Sequence, residues 1–453
     1  MKKLVLLSAC IFLSGCFRGG LDLSEPDRPL LWTAKDSASV TIVDAPTLKN
    51  WWKGFNDPVL NQIVDLALAQ SPDRLRAEAK ILEARGLRRT ALSGLLPQVG
   101  ASGNAGRQDS GIGGAGSIDD FYEAGFDASF EIDIFGRNRK NYSAAGARLD
   151  AAEASYHDVT LSLIAETVRT YIDYRASQNQ YRIASKNLQS QEKTLARVKE
   201  LKRLGSVPRL DVERAENLVQ TTQASLPEFM RQVENAKLRL TVLTGSLPSA
   251  LGPLLAAEAE IPGADVQPVL MAPAQVLSSR PDIRVAEKNL LESTKLAEAA
   301  TAEFFPVFNL AGFYGISDGG LVANANVWNV ALGTAVAILD FGKIEGRIDA
   351  ARAREMQAYQ QYRKAVLTAV AEVESALNDY AFINERRIAL EKAFVSADNA
   401  LNLSQTLYRE GEISFLDVLD AQRNANNAEA VAVSARAAQA ESLTRLYKSL
   451  GVY

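Results

Sequence analysis

Two stretches of this chain match at a fixed separation, and that repetition limits the fold more than any other feature. Leu201–Asn217 (LKRLGSVPRLDVERAEN) and Leu407–Arg423 (LYREGEISFLDVLDAQR) align at an offset of 206. The shared positions are Leu201/Leu407, Arg203/Arg409, Gly205/Gly411, Leu210/Leu416, Asp211/Asp417, Val212/Val418 and Ala215/Ala421. Each stretch reads as a sharp turn between two helices, with a glycine to end the first and acidic residues in the first turns of the second. Pro72-Asp73 and Pro281-Asp282 open two further matching helices, stopped by Pro97 and Pro306, 25 residues after the first proline in both. Here the offset is 209, with Ala77/Ala286, Glu78/Glu287, Leu82/Leu291, Glu83/Glu292 and Leu87/Leu296 in common. The chain is therefore built twice, and the three-residue difference falls between those prolines and Phe135-Gly136/Phe341-Gly342.

The intervening segments alternate with period two. Tyr122, Ala124, Phe126, Ala128, Phe130, Ile132 and Ile134 share one face, and Glu123, Gly125, Asp127, Ser129, Glu131 and Asp133 share the other. An apolar face backed by an acidic one over about 13 residues is the pattern of a transmembrane barrel strand. The second copy alternates Trp328, Val330, Leu332, Thr334, Val336 and Ile338 with small or polar residues. The alternative is a strand half-buried in a soluble sheet. Shorter partners, Gln98–Gly106 and Val307–Ser317, precede each strand, and Gly/Asp-rich loops at 107–120 and 318–326 make them hairpins. Four strands per chain cannot close a barrel, and open edges in lipid leave backbone groups unsatisfied, so the chain must oligomerise.

After Gly136 and Gly342 come proline-free stretches, 138–204 and 344–407, with one glycine each (Gly146, Gly346). As helices of roughly 65 residues they would reach about 100 Å. Return helices follow at about 209–244 and 415–450, the first with a kink or break expected at Pro227. The expected organisation is a signal peptide at 1–15, a tether at 16–58, a first repeat at 59–245, a linker at 246–273 and a second repeat at 274–453. In the first repeat strands occupy about 98–135 and long helices 137–244; in the second they occupy 307–341 and 343–450. Asp57-Pro58 opens a helix before the first repeat's Pro72.

Lys2 and Lys3 precede an apolar core, Leu4–Leu13, that is too short to span a bilayer. It ends in Leu13-Ser14-Gly15-Cys16, which resembles a bacterial lipobox; Leu7-Ser8-Ala9-Cys10 fits the same pattern but leaves almost no apolar core before it. Cys16 would then carry lipid, palmitate included. As the only cysteine of the mature chain it has no disulfide partner there. Phe17 follows where inner-membrane lipoproteins usually carry aspartate, which suggests the outer membrane. No later stretch has about 18 consecutive apolar residues, so any membrane contact must be made by strands. With 23% charged and 47% hydrophobic residues the chain is not disordered, and its net charge of −4 offers no basic field for nucleic acid.

Chemistry-bearing motifs are absent or misplaced. Gly111–Gly116 matches GxGxxG but lies in a hairpin loop rather than between a strand and a helix. Asp340-Phe341-Gly342 has no kinase partners elsewhere. His157 is the only histidine, on a long helix, and no nucleophile–base pair or soft-metal cluster is visible. We expect no enzyme, cofactor or metal site.

The lipobox, WWKGFNDPVL, the two PD…P helices, EIDIFGR, LDFGK and the tips ending in LDV and LDVLDAQR resemble the TolC-like outer-membrane efflux proteins. Within them the likeness is to the lipoprotein branch serving RND-type multidrug pumps, over nearly the whole mature chain. The resemblance implies an α+β membrane protein: a homotrimer with a 12-stranded transmembrane β-barrel, continued by a long periplasmic α-helical barrel. It implies passive export of drugs or other small toxic compounds, with a periplasmic adaptor and an inner-membrane RND-type pump as partners. The outer-membrane part of a type I protein secretion system is the alternative; a pore-less periplasmic adaptor is disfavoured by the alternating strands. It implies adaptor contact at Gly205, Ser206, Val207, Gly411, Glu412 and Ile413. It further implies a periplasmic gate in which Leu416, Asp417 and Asp420 narrow the entrance while Tyr408 and Asp211 tie neighbouring helix pairs. Asp420, Arg423 and Tyr408 differ between the halves, so shared helix-start chemistry does not explain them. Arg423, one turn from Asp420, is a candidate counter-charge.

Overall fold

The structure, a computed structural model, describes residues 29–33, 41–44, 48–109, 118–263, 266, 268–319 and 322–453; Cys16, the signal peptide and Gly111–Gly116 lie outside them. In chain order the elements are β1 (Thr41–Ile42), α1 (Pro58–Gln70), α2 (Pro72–Ser93), β2 (Gln98–Asp109), β3 (Ile118–Ile132), α3 (Arg137–Arg203), α4 (Arg209–Thr244) and α5 (Pro248–Leu255). They continue with β4 (Val269–Leu270), α6 (Pro273–Ser279), α7 (Pro281–Thr301), β5 (Val307–Gly319), β6 (Val322–Ala335), α8 (Lys343–Glu410) and α9 (Phe415–Ser449). The run helix, strand, strand, very long helix, return helix therefore occurs twice, with long helices of 67 and 68 residues.

The four long strands form one antiparallel sheet in the order β2-β3-β5-β6, leaving β2 and β6 as edges. Its register reproduces both sequence offsets. Gln98 lies opposite Ser129 and Val307 opposite Ala335, so 209 and 206 carry the first pair onto the second. The register also gathers the apolar residues on one face: Ala101, Phe126, Tyr314 and Trp328 lie side by side across the four strands. On that face Phe126, Tyr314, Trp328, Val330 and Leu332 are all exposed. Glu123, Asp127 and Glu131 occupy the opposite face. The strands run further into the expected loops than the sequence suggested, to Asp109 and Gly319 on one side and from Ile118 and Val322 on the other. Cross-strand pairing such as Arg107 to Asp120 continues the ladder where composition alone reads as loop. At the other end β3 stops at Ile132, because the Asp133 carboxylate accepts from the N–H groups of Asn138 (3.1 Å) and Arg139 (2.8 Å) and turns the chain into α3. β6 ends earlier than expected, at Ala335, so Val336 and Ile338 lie beyond the strand; the Asp340 carboxylate then accepts from the N–H groups of Gly342 (3.1 Å) and Ile344 (2.8 Å) and starts α8.

Pro227 does not break its helix: α4 is continuous from Arg209 to Thr244. Pro227 is exposed, as is Gln223 one turn before it, so water can reach the carbonyl left without a partner. Among the described residues no helix is long and apolar enough to cross a membrane.

The main core is a belt at mid-length of α3 and α8, and it corrects two expectations. The supposed tether is anchored where it is described, with Trp32, Leu48, Trp51, Trp52 and Phe55 buried in the belt. The supposed linker holds α5, β4 and the start of α6, and buries Leu251, Leu255, Leu270 and Met271 beside them. Thr41 and Ile42 pair in parallel with Val269 and Leu270, and the Trp32 indole donates to the Met271 carbonyl at 2.7 Å. Arg175, fully buried in α3, donates from Nε to the Tyr171 hydroxyl (2.8 Å) and from Nη1 to the Ala257 carbonyl (2.6 Å). Tyr171 in turn donates to Asp57 (2.7 Å), whose other oxygen caps α1. A buried charge needs such partners, and these fasten both flanking segments to one helix.

Candidate functional site

The two helical hairpins end alike in backbone and differently in side chains. Gly205 (φ 77°) and Gly411 (φ 82°) take the left-handed conformation. Ser206 N–H donates to the Leu201 carbonyl (2.9 Å) and Glu412 N–H to the Leu407 carbonyl (3.0 Å), the 6→1 bond of a Schellman ending. A Cβ at either glycine would meet nothing within 4 Å, so the positive φ alone demands glycine. Gly205, Ser206, Gly411 and Glu412 are exposed, and Val207 and Ile413 half-buried. The six candidate contact residues thus present the two outermost turns of the molecule's helical end.

Past the glycines the hairpins diverge. Ser414 and Asp417 form a capping box: the Asp417 carboxylate accepts from the Ser414 N–H (3.0 Å) and hydroxyl (2.6 Å). Those bonds hold the Asp417 carboxyl below its ordinary pKa. The position equivalent to Ser414 is Pro208, which has neither a hydroxyl nor an N–H. Asp211 therefore caps nothing; it lies 3.7 Å from Arg214 with its side chain 14% exposed. It also faces Tyr408. Burial first, and then the Asp211 carboxylate, push the Tyr408 phenol above its usual pKa.

Leu416, Asp420 and Arg423 of α9 line a cleft of about 490 Å³ together with Glu213, Arg214 and Asn217 of α4. Asp420 and Arg423 are paired at 3.0 Å, as their spacing suggested, and both stay largely exposed. Leu416 is exposed. The structure thus brings Leu416, Asp420 and Arg423 to one cleft and sets Tyr408 beside Asp211, whereas Asp417 is occupied by its cap. Sequence reasoning passed over Phe415. It is buried with Val198, Ala215 and Leu419, its ring 5.6 Å from that of Tyr408, and this cluster fastens the second tip to the first hairpin. Its counterpart under the 206 offset is Arg209, so the repeat gave no hint of it. The capping box, in contrast, was readable in Ser414-Phe415-Leu416-Asp417.

Nothing in these clusters supplies bond-making chemistry. Among the described residues no group of three His, Cys, Asp or Glu side chains could hold a metal ion. His157 contacts the Tyr453 hydroxyl through Nδ1, and its pKa is lowered first by burial and then by Arg284. The arrangement consists of long helical walls, a sheet with one acidic face and a charged cleft between the hairpin ends.

Comparison with known proteins agrees with that geometry. The family model described as outer membrane efflux protein matches residues 63–246 and 272–452. The pyoverdine export outer membrane protein OpmQ of Pseudomonas aeruginosa is 31% identical over 468 residues, spanning 100% of this chain and 97% of that protein. The toluene efflux pump outer membrane protein TtgF of Pseudomonas putida is 31% identical over 418 residues, spanning 89% of this chain and 85% of its own length. The solved structure of the outer-membrane channel OprN superposes with a TM-score of 0.88 at 31% identity, covering 96% of this chain and 99% of that one.

Proposed function

Because this chain belongs to the outer membrane efflux protein family, we propose that it is the exit duct of a tripartite pump, passing small toxic compounds from the periplasm to the outside. The observation that carries this reading is the sheet. It is apolar on one face and acidic on the other, its two edges β2 and β6 are open, and it runs directly into helices of 67 and 68 residues. In lipid those edges must be paired, so three copies would complete a 12-stranded barrel with Glu123, Asp127 and Glu131 facing the lumen. The helices would continue the lumen through the periplasm, where a periplasmic adaptor and an RND-type inner-membrane pump meet the tips at Gly205–Val207 and Gly411–Ile413.

The gate lies at the same end. Three-fold symmetry gathers Asp420 of three copies near one axis, with Leu416 beside it, while Tyr408 and Asp211 hold the hairpins closed. Like charges so arranged repel, and Arg423 offsets Asp420 within each chain. Cys16 adds a lipid anchor to an attachment that the barrel already provides. Deleting the gene and testing a drug-susceptibility panel, with a protein-secretion assay alongside, is the direct test. Increased susceptibility to several small compounds with normal secretion supports the duct; a secretion defect alone would reject it for the type I alternative. Replacing Cys16 by Ala behind a cleavable signal should leave trimer and resistance in place. Loss of both, with export intact, would make the lipid essential to assembly.

A further inference from the structure

Beneath the sheet, where α3 and α8 begin, three helices flank a groove of about 450 Å³ that belongs to none of the clusters at the hairpin ends. α7 contributes Ala299, Ala300 and Glu303, α8 contributes Arg347, Ala350, Ala351 and Arg354, and the first turn of α3 contributes Arg137. On α7 and α8 these residues recur at three- and four-residue steps, so each helix offers one face. Four alanines stand where the two faces meet, which keeps the space open. Arg347 and Arg354 bracket it, two turns or about 10 Å apart along α8. Arg137 sets the groove on the acidic side of the sheet. It donates from Nη2 to both oxygens of Glu131, at 2.9 and 2.7 Å, and Glu131 shares its face with Glu123 and Asp127.

The charge of the groove is positive. Its three guanidiniums face one lining carboxylate, Glu303, which accepts from Arg347 Nη1 at 2.7 Å. With Glu131 included, three cations meet two anions, and Arg354 has no ion-pair partner among the described residues. Arg137 and Arg347 each commit one terminal nitrogen to a carboxylate, so N–H donors remain on both. Arg347 and Arg354 are exposed and open to a ligand.

Resting on the duct reading above, we propose that this groove is an anion subsite on the inner wall, taking the carboxylate, sulfate or phosphate group of a passing compound between Arg347, Arg354 and Arg137. Guanidinium forks match such oxygens in geometry and stay charged across the physiological pH range. The alanines leave room for a small apolar body beside the charged group. The purpose follows from the charges along the proposed path. Asp420 lies at the hairpin end, and Glu123, Asp127 and Glu131 lie on the sheet, so an anion meets acidic groups at both ends. An arginine cluster between them attracts it, and Glu303 and Glu131 compete for the same donors, which keeps the stay short.

Calorimetric titration of the full-length protein in detergent with citrate, a small tricarboxylate, tests the subsite without requiring an open channel. Native protein should bind it, and Arg347→Gln with Arg354→Gln should weaken binding about tenfold or more, the worth of a charge-assisted hydrogen bond. Glu303→Gln, which frees Arg347, should tighten binding, and an unchanged melting temperature checks that each variant keeps its fold. No binding to native protein or to Glu303→Gln, or equal affinity in native protein and the double variant, overturns the subsite. In planar bilayers citrate should reduce the native single-channel current, and the double variant should need about tenfold more for the same block. Spermidine, a trication drawn to the acidic sheet face, should act equally on both. A channel that spermidine blocks and citrate does not leaves the duct standing and removes the subsite from its path. Citrate binding without any channel current overturns the duct reading, and with it the place of the groove on an export path.

Discussion

The two hairpin tips share one backbone ending, and only the second adds a side-chain cap to it. Both close on a left-handed glycine with the same carbonyl bonds, yet Asp417 is bound into a capping box and its equivalent Asp211 is not. One substitution accounts for the difference. Pro208 cannot return a hydrogen bond to an N3 carboxylate, so Asp211 is left to face Arg214 and Tyr408, while Ser414 keeps Asp417 at home. In this repeat the copy that lacks the cap leaves its carboxylate paired one turn away, with Arg214. The buried Phe415, against Arg209 in its surface pair with Glu213, makes the same point in apolar terms.

The largest effect should come from that apolar difference. Phe415→Ala removes the anchor of the cluster with Val198, Ala215 and Leu419 and should cost about 3 kcal/mol locally. It should raise protease cleavage near residues 407–423, and Arg209→Ala at the equivalent place should leave cleavage unchanged. Equal sensitivity of the two variants would erase the distinction between the tips.

Higher up, the hairpins meet where Asp173 of α3 hydrogen-bonds Glu441 of α9. Burial first, and then the Asp173 charge, push Glu441 up to about 7. A carboxyl raised in this way contributes stability below its ordinary range and loses it as pH rises through about 7. The helical region should therefore unfold at lower temperature at pH 8 than at pH 6, and Glu441→Gln should flatten that dependence. A slope unchanged in the variant would assign it elsewhere.

Smaller effects separate the caps. Ser414→Ala should destabilise the start of α9 by about 1 kcal/mol, seen as faster amide exchange over Phe415–Val418. Pro208→Ser offers Asp211 the partner it lacks and should draw it away from Arg214 and Tyr408. The link it gives up is worth about 0.5 kcal/mol, and channel openings should become slightly more frequent. If Pro208→Ser leaves gating untouched while Asp211→Ala alters it, the carboxylate works from its capped position as well.

Much of this fold could be read from the chain. The two offsets located both hairpins, both long helices and the four strands, because period-two and helical patterns are local properties of sequence. The belt could not be read in this way. Thr41 and Ile42 meet Val269 and Leu270 in a pairing too short to leave a pattern, and the Pro- and Gly-rich stretch between the halves looked like a linker because its burial depends on Arg175 and Tyr174 far away in sequence. At the candidate gate the spacing of Asp420 and Arg423 foretold their pairing. Burial of Phe415 depends on a second hairpin crossing it, which no local pattern encodes.

The central claim is that the second tip constricts a channel and that Tyr408 and Asp211 help to keep it closed. Single-channel conductance of the purified protein in planar bilayers, native against Tyr408→Phe with Asp420→Ala, tests it most directly. Conductance should be higher in the double variant at unchanged trimer yield, accompanied by vancomycin sensitivity in cells. Equal conductance would contradict it and leave these residues as packing and surface charge.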